Sequence, residues 1–181
     1  PSASVPATIT TSFETSALPS YVFVADAESR AHGVSVEQIH FHEVGTMDAI
    51  AGLAFGIVVI NLARHEIENT YHLGKQGNHY AVRDIAFHKG NIVAATEIGL
   101  ASAPQDDPYL NIETHWNWDS GSILAGRPIL QLESDGELLT ALTYLVDPSY
   151  KMIYHEQPDG SFALQSEGNI LSLRRNERGF V

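Results

Sequence analysis

Ile50-Ala51-Gly52-Leu53-Ala54-Phe55-Gly56-Ile57-Val58-Val59-Ile60 is the core of the longest apolar run in the chain, and its reading as helix or strand decides the fold class. With a period of 3.6, Ile50, Leu53, Ala54 and Ile57 share one face. Val58, Val59 and Ile60 are β-branched and suit a buried strand equally well. The start signals tip the balance: Thr46 is a credible N-cap, and Asp48 places negative charge in the first turn, where the helix dipole favours it. The expectation is a helix over about residues 47–64, with a buried βα arrangement as its competitor. The run to Leu62 is about 13 residues, broken by Gly52, Gly56 and Asn61, and is too short for a membrane span.

Upstream, Tyr21 to Ala31 opens like a strand and ends like a helix, and His32-Gly33 stops it, Gly being common just past a helix end. Residues 1–20 are rich in Ser, Thr, Ala and Pro and read as an extended arm. Downstream of His72 the turn signals become dense, among them Lys89-Gly90-Asn91, Asp135-Gly136 and Asp159-Gly160. The short apolar runs between them indicate an antiparallel sandwich or barrel. The expected fold is therefore α+β: an arm at 1–20, a short helical part at 21–70, and a β-rich antiparallel region at 71–181 that forms one compact domain with it.

Composition narrows the function. The chain has 181 residues, with 10 Lys and Arg against 22 Asp and Glu, a formal charge of -12. That charge repels phosphate backbones and anionic membrane surfaces, so neither nucleic acid nor membrane is an expected partner. No cysteine is present, so a metal must be held by His, Asp, Glu or backbone oxygens. A Cys-free chain suits either redox compartment, and the cytoplasm is slightly favoured over a secreted location. Phosphate loops and nucleophile elbows are missing from the sequence.

The densest chemistry lies in Ile39-His40-Phe41-His42-Glu43-Val44-Gly45. In a strand, His40 and His42 share a face and Glu43 takes the other; in a loop all three can converge. Imidazoles with a carboxylate suit nickel, zinc, copper or iron. The stretch from Ala25 to Ile50, with His32-Gly33-Val34 and then His40-Phe41-His42-Glu43-Val44-Gly45 ahead of Asp48, resembles the LarC family of nickel insertases, which complete the nickel-pincer nucleotide cofactor. The resemblance implies His40 and His42 as metal ligands and Glu43 and Asp48 as catalytic groups, acting as oxygen donor or proton acceptor. It also implies a divalent metal, nickel or zinc, and a small-molecule or nucleotide-like cofactor as partner. It covers some 25 to 40 residues, and nothing from Asn78 onward shares it.

Two other readings compete. Gly33, His40, His42, Asp48 and Gly52 approach a cupin metal motif in order, though not in spacing. His115-Trp116-Asn117-Trp118-Asp119 sets two indoles beside polar groups, a composition suited to stacking on sugars or other flat ligands. On that reading His115, Trp116 and Trp118 are the ligand-binding residues of a non-catalytic β-rich module for a small molecule or carbohydrate.

Overall fold

The structure, a computed structural model, describes residues 36–43, 47–61, 63–64, 66–75, 78–173, 175–176 and 179–180. The expected arm at 1–20 and the helix ending at Gly33 lie outside these residues. Residues 36–181 form one compact unit.

The helix expected over 47–64 is replaced by two antiparallel strands, β2 (Met47–Leu53) and β3 (Gly56–Asn61), so the described residues are nearly all β and not the α+β arrangement expected. Among the described residues there is no α-helix, and the regular structure is strand apart from one 3-10 turn at Glu113–His115. The reason lies in Gly56, whose φ of 150° is foreign to a helix and rarely adopted by a side-chain-bearing residue. A Cβ there would stand 2.0 Å from the Tyr71 carbonyl oxygen, so only glycine lets the chain reverse after Ala54-Phe55. The helical spacing of Ile50 and Ile57 is fortuitous. Ile50 pairs with Val59, and Ile57 lies two positions before Val59, so all three share a face of the sheet.

The first sheet adds β1 (Val36–Glu43) and β4 (Glu66–His72), in the order β1-β2-β3-β4. A small ladder of β5 (Gly74–Lys75) and β6 (Asn78–His79) follows. The second sheet runs β7 (Val82–His88), β8 (Asn91–Thr96), β9 (Gly99–Pro104) and β10 (Asn117–Trp118). The third runs β11 (Ile129–Ser134), β12 (Leu139–Tyr144), β13 (Lys151–Glu156) and β14 (Phe162–Gly168), and β15 (Arg175–Asn176) pairs with β16 (Gly179–Phe180). Each four-stranded sheet is an antiparallel meander of sequence neighbours, the local form of a propeller blade. The first strands cluster, with β7 packed against β1 and β2 on one side and β11 on the other.

The second sheet is buried on both faces. Ile92 and Ala94 of β8 join Ile50, Ile57 and Leu73 in one apolar cluster, while Val93 and Ala95 join Ile129, Leu132 and Ala141 in another. Strict alternation explains why β8 reads as an unbroken apolar run. The first and second sheets approach so closely at Gly52 that a Cβ would lie 2.6 Å from the Val82 carbonyl oxygen. Between the second and third sheets a polar link is added to the apolar contact. Asp84, 1% exposed, accepts hydrogen bonds from the Ile85 N–H and, 2.8 Å away, from the Leu132 N–H of β11.

Gly56→Ala is expected to lower stability by at least about 1 kcal/mol, because the new Cβ meets backbone rather than a movable side chain. Asp84→Ala should cost about 1–3 kcal/mol by leaving the Leu132 N–H buried without its acceptor. Urea midpoints against wild type check both, and unchanged midpoints would refute the assignments.

Candidate functional site

The His motif lies in β1, not in a loop or at a helix start. His40 pairs with Ile50, His42 with Asp48, and Glu43 with Met47. The ladder thus sets Asp48, expected in the first turn of a helix, directly opposite His42 on the neighbouring strand. Positions 40, 42 and 48 belong to one face of the sheet and position 43 to the other. Asp48 itself is also paired with Asn61 of β3. The connection through Val44, Gly45 and Thr46 is outside the described residues.

The alternative binding residues separate by role. Trp116 is 4% exposed, packs in the cluster between the first two sheets, and donates its indole N–H to the Leu110 carbonyl oxygen at 2.9 Å. Trp118 is half-buried and meets the Tyr80 ring edge-on, with ring centroids 5.5 Å apart. His115 turns away to Asp107, 2.8 Å from Nδ1 to Oδ2, beside the Tyr109 ring. The His115 hydrogen bond, followed by that from the Tyr109 N–H, holds the Asp107 carboxyl below its ordinary range. The two indoles therefore do not form one stacking platform. Near the first sheet, the His72 ring stands 5.7 Å from that of His79 and 5.3 Å from that of Phe55, an exposed pair of imidazoles. Among the residues whose side chains the structure describes, which begin at Ile50, no group of three His, Asp or Glu converges as a metal site.

A cleft of about 290 Å³ opens between the second and third sheets. At one end His88, 6% exposed, spans the two sheets: Nδ1 is 3.0 Å from Ser134 Oγ and Nε2 is 2.6 Å from Glu156 Oε2. Lys89 donates to the same oxygen at 2.9 Å. The β7–β8 turn places that amine, with φ of 48° at Lys89 and 76° at Gly90, the double left-handed pattern of a type I′ hairpin. Burial alone would raise the Glu156 carboxyl, but the hydrogen bonds from Lys89 and His88 and the positive charge beside it outweigh burial and hold it low. Further along, Asp119 accepts from the Gly121 and Ser122 N–H groups and from the Ser122 hydroxyl.

Comparison with known proteins bears on the first of these regions. Residues 5–73 match the family model described as Nickel insertion protein. The resemblance is to the nickel insertion family. A putative nickel insertion protein of Methanococcoides burtonii is 41% identical over 56 residues, covering 31% of this chain and 14% of the relative. The pyridinium-3,5-bisthiocarboxylic acid mononucleotide nickel insertion protein of Akkermansia muciniphila is 40% identical over 48 residues, covering 26% and 12%. Its namesake from Thermotoga petrophila is 49% identical over 39 residues, covering 22% and 10%. The chain thus spans no more than 14% of the length of these curated relatives. A solved structure of PorZ, a surface component of the type-IX secretion system of Porphyromonas gingivalis, aligns over 87% of this chain and 25% of its own at 18% identity, with a TM-score of 0.49.

The part of the nickel insertion match that the structure describes is β1 to β4, so the family segment ends where the first sheet ends. The cleft lies wholly outside it. Sequence reasoning marked Lys89-Gly90-Asn91 as a turn but missed the site, since His88 and Glu156 stand 68 positions apart and no spacing rule joins them. A carboxyl held low stabilises the fold above its unfolded-state pKa and loses that contribution as pH falls through the folded value. Wild type should therefore exceed Glu156→Gln in urea midpoint at pH 7, and the gap should narrow as pH falls through the carboxylate range. A gap that stayed constant or widened on acidification would contradict the assignment.

Proposed function

We propose that the first sheet is a nickel-handling element, with His40 and His42 binding the ion as cargo and Asp48 or Glu43 supplying oxygen or accepting a proton. The observation that carries this reading is the pairing of His42 with Asp48, which sets a nitrogen-donor position against an oxygen-donor position inside the segment that matches the nickel insertion family. The donor set fits the ion: imidazole with carboxylate suits nickel, zinc and other borderline divalent metals, and with no cysteine the chain has no thiolate to draw softer ones. Position 43 falls on the other face of β1, so Asp48 is the preferred oxygen donor. Two of the relatives are named as pyridinium-3,5-bisthiocarboxylic acid mononucleotide nickel insertion proteins, and a molecule of that nucleotide-like class is the corresponding proposal for the acceptor here.

Nickel and zinc titrations followed by calorimetry test this. His40→Ala/His42→Ala is expected to weaken nickel binding by at least about tenfold, in line with the loss of ligands from a small donor set, and Asp48→Asn by a smaller factor. His72→Ala/His79→Ala, which removes the exposed imidazole pair, should leave the tighter binding event in place. Equal nickel affinity in wild type and the His40/His42 variant, or loss of binding only in the His72/His79 variant, would overturn the reading.

A further inference from the structure

The cleft between the second and third sheets carries polar groups that the protein leaves unused. His88 and Lys89 both direct their donors to Oε2 of Glu156, so Oε1 receives none among the described residues. The Ser102 hydroxyl and the Asn117 side-chain amide, which line the same cleft from β9 and β10, are also without a hydrogen-bond partner among the described residues. Leu100, Leu139 and the Phe162 ring add apolar surface to the same lining, beside the polar Asn91, Asp119 and Ser122.

These groups select a chemistry. Glu156 accepts, whereas a hydroxyl and an amide both donate and accept, so the complementary molecule offers several groups that can do either. The apolar lining calls for C–H surface on the same molecule, and about 290 Å³ suits a compound of one small ring, at the low end of ligand pockets. Charged ligands fit less well. An anion would face Glu156 and Asp119. A cation would find Glu156 already matched by Lys89 and His88, and both Asp119 oxygens engaged by Gly121 and Ser122. We infer that the cleft is a binding site for a neutral polyhydroxylated compound, a monosaccharide or cyclic polyol, held by Glu156, Ser102 and Asn117. This moves the carbohydrate-binding expectation from His115, Trp116 and Trp118 to their neighbour Asn117, which meets Ser102 and Glu156 in the cleft, and it does not depend on the nickel reading.

Saturation-transfer NMR and calorimetry with glucose, galactose and inositol, alongside glucosamine as a cationic and glucuronate as an anionic probe, test the inference. At least one neutral compound should bind saturably, and more tightly than either charged probe. Ser102→Ala/Asn117→Ala should weaken it roughly three- to tenfold, the loss expected for hydrogen bonds of ordinary strength. Asn117→Ala alone, at an exposed position, provides the same test should the double variant fold poorly, and an unchanged urea midpoint certifies the fold of whichever is used. Absence of saturable binding by every neutral compound, tighter binding of glucosamine or glucuronate, or full affinity in a folded variant would overturn it.

Discussion

The Asp84 carboxylate is the interaction on which the arrangement of the sheets depends. It sits at the start of β7, the strand that touches both neighbouring sheets, and reaches across to a backbone N–H of β11 that would otherwise be buried without an acceptor. Hydrophobic contact between two sheets is tolerant of sliding, since Ala, Val and Leu side chains meet equally well at several offsets. A hydrogen bond from one fixed N–H to one carboxylate oxygen is not. The bond therefore fixes which residue of β11 lies beside Asp84, and with it the mouth of the cleft farther along, where His88 meets Ser134 and Glu156.

The sequence was most legible where turn chemistry is local. Asp135 and Asp159 each accept hydrogen bonds from backbone N–H groups two or three residues ahead, which is why Asp-Gly marks hairpins so well, and the strands between such turns were visible as short apolar runs. The stretch from Met47 to Asn61 was misread for a long-range reason. Its apolar residues satisfy both periods, and what chooses the strand is the crowding of Gly56 by Tyr71 and of Gly52 by Val82, contacts made with later parts of the chain. The helix-start signals at Thr46 and Asp48 were locally sound and were overridden by that packing.

The candidate sites divide along the same line. His40 and His42 were found because they are neighbours in sequence, and their relation to Asp48 became definite only once the strand register was known. The Trp116 and Trp118 pair looked like one surface because the residues are two apart, yet one indole supports the core and the other rests on Tyr80. The cleft was invisible because its members come from seven strands and the loops between them, and nothing in their spacing records that they meet.

The meander topology also shapes how the molecule reaches this state. Within each sheet every strand pairs with its sequence neighbour, so closing each ladder costs little chain entropy, and the hairpins can form early and separately. By the same argument docking is expected to be the slower event, since β11 must find β7 across some forty residues of chain before Asp84 meets Leu132. Sheets built this way behave as modules, each completed by its neighbour rather than by itself, and damage to one interface should loosen two sheets while sparing the ladders inside them.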